Sequence, residues 1–408
     1  MMSITALLSF AGVWLGAAMA DRVVTPISKD KSDADDVGSS IERRLRLERL
    51  FRADEDSNLW LDKWRVTRDG MIEKIGLNFS ASYHQLGLAS LGDDDQDTGF
   101  GGDFTLNGLW HFGGKNWDIP FELNFRIRHR HAFGDTAPSG VASQTGALWG
   151  LVDGFSDKGL EIPDFFFVQK FPQHGIELRY GQMVIDSQFD RHALRSSKQA
   201  FLNRAFSSNP AVAFPRFGVG ITVERQCSGG IDYALGFSSV QGTQAGTQVD
   251  LDLGSDSYFT AGQVGWDFKI RDDPARLQVM AWHSDAVEDV GLPRGYGVSL
   301  VFERAFPTRQ TRIFTRAAWA DGAAADLNLL LASGVAVDLR ENDLFGVALG
   351  LGRDSAGTDD VQGVLEGFYR WQIGPTMHLT PSMQVVFGDS LGGNDVMMVA
   401  GLRGKLAF

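Results

Sequence analysis

A chain of 408 residues with 38 basic and 51 acidic side chains, net charge −13, lacks the basic field that a nucleic-acid partner requires. Its single cysteine, Cys227, excludes an intramolecular disulfide, so backbone pairing and packing must hold the fold. Forty-eight glycines and 29 phenylalanines fit a turn-rich, aromatic-rich β architecture.

The run Ile4 to Ala20 is uncharged and apolar, and it closes on Ala18-Met19-Ala20 ahead of Asp21. It reads as an export signal over residues 1–20, although its first residues carry no Lys or Arg. Residues 21–58 form a polar exported leader: Asp21 to Ser40 has no period, while Ile41 to Phe51 is basic and helical, suited to a solvated helix or a weak contact between copies. Leu59, Trp60, Trp64 and Ile72 recur at helical spacing before Gly76, which predicts a short periplasmic helix leading into the first strand.

No later stretch supplies the roughly 18 consecutive apolar residues that a spanning helix needs. A membrane-embedded form of this chain must therefore cross with strands. From Gly76 onward the pattern predicts about sixteen of them. Their ranges are Gly76–Leu91, Gly99–Phe112, Trp117–Ala132, Leu160–Phe171, Gly175–Ile185, Phe214–Gln226, Gly230–Val240, Ser257–Ile270, Ala275–Asp285, Pro293–Phe306, Gln310–Ala320, Asp326–Asp338, Asn342–Asp354, Asp360–Ile373, Thr376–Phe387 and Val396–Phe408.

Tight breaks such as Pro172-Gln173-His174 and Pro307-Thr308 alternate with long ones such as Phe133–Gly159, Asp186–Ala213 and Gln241–Asp256. Turns on one side and loops on the other suit an all-β transmembrane antiparallel up-and-down barrel over residues 59–408. Within strands the rows alternate: Phe121, Leu123, Phe125 and Ile127 oppose Glu122, Asn124, Arg126, Arg128 and Arg130. In the last strand Val396, Met398, Ala400, Leu402, Gly404, Leu406 and Phe408 oppose Met397, Val399, Gly401, Arg403, Lys405 and Ala407.

Period two alone does not say which row faces water. A barrel in lipid turns the Phe rows outward and the Arg rows inward, and about sixteen closed strands enclose more space than side chains fill. Arg126, Arg128 and Arg130, Glu177 with Arg179, Arg312 with Arg316, and Glu366 with Arg370 then line the lumen and offer hydrogen bonds to sugar hydroxyls. The plainer alternative is that they hydrate the wall and pair with one another. The segment Asp186–Ala213 carries Asp186, Asp190, Arg191, His192, Arg195, Lys198 and Arg204 and is anchored by Phe201, Phe206 and Phe214. That make-up suits a loop folded into the lumen, with a flexible external loop as the alternative. Trp110, Trp149, Tyr180, Trp282 and Tyr369 are candidate stacking platforms for sugar rings, with an interface girdle as the alternative.

Several chemistries have no support. His129 and His131 share a face but have no third ligand at metal spacing, and no phosphate loop, dinucleotide fingerprint or Gly-x-Ser-x-Gly elbow is present. No cofactor is expected and no catalytic residue is assigned.

The chain resembles the OprB-type carbohydrate-selective porins. The resemblance rests on Asp164-Phe165-Phe166-Phe167-Val168-Gln169, Leu178-Arg179-Tyr180-Gly181-Gln182, Phe189-Asp190, Phe201-Leu202-Asn203-Arg204-Ala205-Phe206, Phe214-Pro215 and Gly218-Val219-Gly220. A second patch covers Glu366-Gly367-Phe368-Tyr369-Arg370-Trp371-Gln372, Leu379-Thr380-Pro381, Gln384 and Gly401-Leu402-Arg403 to Phe408; a third is Trp64 to Tyr83. Where the family commonly has Asn-Pro after the penultimate strand, this sequence has Gly388-Asp389-Ser390.

The resemblance implies an outer-membrane porin for passive diffusion of small sugars, surrounded by lipid and lipopolysaccharide. It also implies delivery by the barrel-assembly machinery through a terminal-strand signal at Phe408, and it leaves room for a homo-oligomer. An anion-preferring or general diffusion porin, and an exported soluble β protein that binds or cleaves glycans, remain the alternatives.

Overall fold

The structure, a computed structural model, describes residues 75–407 apart from 92–96, 113–120, 241–245, 250, 252–255, 289–290, 341, 375, 390 and 392–394. The predicted signal, leader, periplasmic helix and Phe408 lie outside the described residues. Sixteen strands follow one another: β1 (Leu77–Leu91), β2 (Thr98–Phe112), β3 (Phe121–Ala132), β4 (Gly159–Phe171), β5 (Ile176–Met183), β6 (Gly218–Gln226), β7 (Ile231–Ser239) and β8 (Tyr258–Ile270). They continue as β9 (Asp273–Ser284), β10 (Gly295–Phe306), β11 (Thr311–Asp321), β12 (Leu327–Arg340), β13 (Asp343–Asp354), β14 (Val361–Gln372), β15 (Met377–Gly388) and β16 (Val396–Ala407). No end differs from the sequence expectation by more than four residues.

Each strand pairs antiparallel with its sequence neighbours, and β1 closes on β16 from Ser82↔Ala407 to Leu91↔Met398. Closure leaves no free sheet edge, which is the condition for strands to survive in hydrocarbon. The tight connections collect at one end. Arg271 and Asp272, with φ of 52° and 70°, make a two-residue turn of the twist-matched kind, and Phe171-Pro172 and Phe306-Pro307 each begin a one-turn 3-10 segment. Those two segments end on Gly175 and Gln310 in the left-handed region. The opposite end carries the long segments 133–158 and 184–217, which hold two short helices, α1 (Val141–Thr145) and α2 (Arg204–Ser207).

The outer rows are the predicted apolar ones. Val396, Met398, Leu402 and Leu406 of β16 and Met377 and Met383 of β15 lie exposed on the exterior. Trp110 packs on Phe112 of its own strand at 4.5 Å, and rings then step from strand to strand near the turn end, Phe112 to Phe121, Phe121 to Phe167 and Phe167 to Tyr180, with centroids 5.2–5.8 Å apart. Such a belt is stable where aromatic faces meet both hydrocarbon and head groups.

The inner wall departs from a uniformly charged lumen. Leu86 and Leu88 of β1, Phe314 and Ala318 of β11, Leu330 and Ala332 of β12, Leu344 and Ala348 of β13, Val364 and Phe368 of β14, Val386 of β15 and Val399 of β16 point inward and are buried. They pack against Val141, Trp149, Leu151 and Phe155 of one long segment and Leu194, Phe201, Leu202 and Phe206 of the other. The inward face of β13 is cut low to receive them: a Cβ on Gly346 would stand 2.4 Å from the Phe368 ring and 3.1 Å from Phe201, and one on Gly352 would stand 2.9 Å from Trp149. Each fully buried Phe or Leu stabilises this contact by about 1.5–3 kcal/mol. Half of the wall is therefore a docking face for the two segments.

Candidate functional site

The other half of the wall carries the charge. Arg126, Arg128 and Arg130 follow one another inward along β3, about 7 Å per step. Arg126 pairs with Asp164 at 2.6 Å, Arg128 Nε donates to Asp103 Oδ2 at 2.8 Å, and Arg130 Nε donates to Glu161 Oε2 at 2.9 Å. Glu161 and Asp164 are three residues apart, a spacing that would normally put them on opposite faces. A bulge resolves it: the β3–β4 register shifts between Arg126 and Arg128, and the extra residue falls at Ile162-Pro163. Proline has no N–H for a ladder, so a bulge is where a strand tolerates it, and here it turns both carboxylates toward the arginines.

The row continues at both ends. Toward the loops, Arg130 Nη1 donates to Ser156 Oγ at 2.6 Å and Arg216 Nη2 donates to Glu161 Oε1 at 3.0 Å. Toward the turns, Glu122 accepts from Lys170 Nζ at 2.8 Å and lies 3.2 Å from His111 Nδ1. On β5, Arg179 pairs with Glu177, lies 3.8 Å from Glu224, and donates to Gln188.

The segment 184–217 crosses from this wall to the apolar one and is fixed at both. Its Lys198 Nζ donates to Asp103 Oδ1 at 2.8 Å and Thr105 Oγ1 at 2.9 Å on β2. On the far side Glu366 accepts from the N–H groups of Leu202 and Asn203 at 2.6 and 2.9 Å, and Asn203 Nδ2 donates to Gln384 Oε1 at 2.9 Å. Arg370 and Arg403 donate to the carbonyls of Gln199 and Ala200 at 3.3 and 3.0 Å. Arg316, fully buried, donates to the carbonyls of Ala205 and Asp190 at 3.1 Å and lies 3.1 Å from the Asp190 carboxylate. Asp190 in turn accepts from Ser299 Oγ at 2.6 Å and Asn209 Nδ2 at 2.9 Å, while the Arg191 carbonyl accepts from Gln278 Nε2 at 2.6 Å. Within the segment Arg195 donates to the Asp186 and Phe189 carbonyls at 2.6 and 3.2 Å and pairs with Asp186 Oδ2 at 2.8 Å.

Burial shapes the ionisable groups of the segment. It raises the Asp186 carboxyl against the pull of Arg195, and it lowers the His192 imidazole, which stacks on Phe314 at 3.9 Å, well below the ordinary histidine value. Lys198 falls to about 7, through burial first and the nearby Arg128 guanidinium second, against the attraction of Asp103.

The expected residues thus divide into two groups. Glu122, Arg126, Arg128, Arg130, Glu177, Arg179, Asp186 and Arg195 lie on the charged wall or on the segment beside it. Arg316, Glu366 and Arg370 lie beneath the segment and hold its backbone, Asp190 and Arg191 belong to the segment and meet the wall at Arg316, Ser299 and Gln278, and Arg312 pairs with Asp338 at 2.7 Å between β11 and β12. The candidate sugar platforms do not converge. Trp110 and Tyr180 point outward, Tyr369 donates to Asp343 on the outer row, and Trp149 and Trp282 are buried in packing. A groove of about 500 Å³ between Ile221, Leu235, Gly262 and Ala281 also faces the exterior. Asp103, Glu161 and Arg216 were not singled out by sequence. Asp103 alternates with Thr105 on an inward row, but its partners are chosen by register.

A closed barrel with an apolar exterior, turns at one end, loops at the other and paired charges inside is an outer-membrane porin. The chain belongs to the carbohydrate-selective porins of the OprB family, whose description it matches over residues 117–408. The patch Trp64 to Tyr83 precedes the matched residues. Among solved structures the fold is similar to the high-pH structure of OprB from Pseudomonas putida, with TM-score 0.67 and 15% identity over 85% of this chain and 97% of that one. The low-pH structure of the same protein gives 0.57 and 13% over 87% and 100%, and Salmonella typhi OmpF in complex with daunomycin gives 0.52 and 9% over 81% and 97%. At these identities the likeness is one of fold. No curated protein matches the chain. As a porin it is a channel and not an enzyme, and the soluble glycan-active alternative falls with that assignment.

Proposed function

We propose that the barrel passes small neutral carbohydrates by passive diffusion along the β2–β5 wall, with segment 184–217 as the constriction. The observation that carries this reading is the pairing: Arg126, Arg128 and Arg130 each meet a carboxylate of a neighbouring strand. A surface of matched guanidinium and carboxylate groups offers many donors and acceptors while its net field stays small. That suits polyhydroxylated solutes better than ions of one sign.

The anion-preferring reading draws on the sharing of Asp103 by Arg128 and Lys198 and of Glu161 by Arg130 and Arg216, but each of these cations still meets a carboxylate. Proteoliposome swelling in glucose and maltodextrins, beside reversal potentials in a salt gradient, tests both. Fast entry of neutral sugars with weak ion preference is expected; strong anion preference without sugar flux overturns the reading.

A further inference from the structure

One polar group on the exterior takes no part in solute passage. On β3 the apolar outer row of Phe121, Leu123, Phe125 and Ile127 ends in two histidines, His129 and His131, opposite Phe104 and Gly102 of β2. Their ring centroids are 5.2 Å apart, and the two Nδ1 atoms face each other at 3.3 Å. Phe133 follows on the same row, exposed, and stacks on the exposed Phe100 at 4.8 Å. Exposed rings at the loop end mark the aromatic girdle, so the pair lies level with the lipid head groups, where water and ions reach the exposed His129.

His131 is held from its other side. Its Nε2 lies 3.1 Å from the Tyr83 hydroxyl of β1, with the two rings stacked at 6.0 Å and 11°. Tyr83 reaches across β2 because the residue between is Gly102: a Cβ there would stand 2.6 Å from His131 Nε2 and would also strike the Tyr83 hydroxyl. Three strands thus serve to place one imidazole. When His131 Nε2–H donates to Tyr83, the Nδ1 lone pair is left facing His129 Nδ1, which is how an outer partner fixes the tautomer of a metal-ligating histidine.

The plainer reading of this approach is an N–H···N hydrogen bond between the two imidazoles. Its length of 3.3 Å exceeds the roughly 2.9–3.0 Å usual for an N–H donor. Two nitrogens each about 2.0–2.1 Å from one tetrahedral ion stand roughly 3.3–3.4 Å apart. Among the described residues no third His, Cys, Asp or Glu completes the set, so water or head-group oxygens take the remaining positions. Imidazole ligands with open positions favour the first-row divalent ions, Cu2+ most strongly.

We propose that His129 and His131 form a surface chelate for a divalent transition cation on the outer rim of the barrel, with Tyr83 as the positioning residue. The ligand atoms are the two Nδ1 nitrogens, and Cu2+ is the probe. All three side chains face away from the lumen, so the site does not depend on the passage of sugars.

The test is Cu2+ titration of the untagged full-length protein in detergent micelles, read by electron paramagnetic resonance. One tightly held ion per chain, with coupling to two nitrogens, is expected. His129→Ala and His131→Ala should each weaken binding by about tenfold or more and leave coupling to a single nitrogen. Tyr83→Phe keeps the stacked ring and loses the hydroxyl; it should weaken binding about tenfold with both nitrogens retained. His174→Ala, at the turn end, should change nothing.

Migration on unheated gels establishes that each variant is folded, and His129→Gln stands in should the alanine change prevent assembly. Binding no tighter than in the His129→Ala/His131→Ala double variant, or coupling to one nitrogen in the wild type, overturns the proposal. An unchanged affinity in Tyr83→Phe overturns the positioning role. Glucose swelling, read separately, keeps these outcomes distinct from failure of the sugar reading.

Discussion

The two halves of the inner wall do opposite things with the same residue types. On β3 each guanidinium meets a carboxylate on a neighbouring strand and keeps some exposure; the Arg126 and Arg128 side chains retain 21% and 18%. On β11, β14 and β16 the guanidiniums of Arg316, Arg370 and Arg403 reach backbone carbonyls of segment 184–217. One half therefore satisfies its charge laterally, within the sheet. The other directs its charge inward and serves as a clamp. An arginine in a porin strand is defined by what its fork points at.

The apolar half breaks first and hardest. Phe201 is fully buried, with Phe206 and Phe368 at 5.3 and 4.9 Å. Phe201→Ala should cost about 3–5 kcal/mol of the segment's seating. The expected readings are larger, noisier single-channel current and a lower temperature for loss of the fast-migrating band. Unchanged current would show that the segment is held without its apolar anchor.

Next is the clamp. Glu366→Ala strands two backbone N–H groups, at a cost of about 2–6 kcal/mol from their unmade bonds. Current noise should rise while ion preference changes little. A large change in reversal potential with a quiet current would place Glu366 with the charged half instead.

On the charged half the effect is on selectivity more than on folding. Arg128→Ala leaves Asp103 still bonded to Lys198 and Thr105, so the barrel assembles with one positive charge fewer. Reversal potential should move toward cations, and Arg126→Ala should do the same. If both leave it untouched, the paired row does not border the conducting path.

The smallest effect is that of pH on Lys198. With its value lowered to about 7, the cost of holding this ammonium in a buried place is present below pH 7. That cost is relieved as pH rises toward the unfolded value of about 10.4, so stability increases across that window. Over the same range the lumen loses a positive charge beside Asp103. Cation preference should rise as pH passes about 7 and should be flat in Lys198→Met.

The strands were legible because lipid and water demand opposite rows, and a period of two carries that demand directly. Phe121 to Arg130 and Val396 to Lys405 could be read without neighbours. The docking half was harder to see because it is apolar on both sides, packed within and facing hydrocarbon without. Leu329-Leu330-Leu331-Ala332 in β12 is a continuous apolar run, and such a run marks a strand covered on both faces. That was the available signal that part of the interior is packed.

The phenylalanine anchors of Asp186–Ala213 were readable as residue types. Phe201 and Phe206 are buried, and Phe214 lies 5.4 Å from Phe259. Their partners were not readable, because cross-strand register decides them. The Ile162-Pro163 bulge shows the limit most sharply: it puts Glu161 and Asp164 on one face against the plain alternation.

Closure of β1 on β16 has a consequence for the order of events in assembly. Arg403, which holds the Ala200 carbonyl, sits on β16, and Leu86 and Leu88, which support the same segment, sit on β1. The seat is split across the seam where the two ends of the strand array meet. Until that seam zips, neither half of the cradle has its complement. Without that seam the inner segment lacks part of its seat, so a ring left ajar would leak before it leaked selectively.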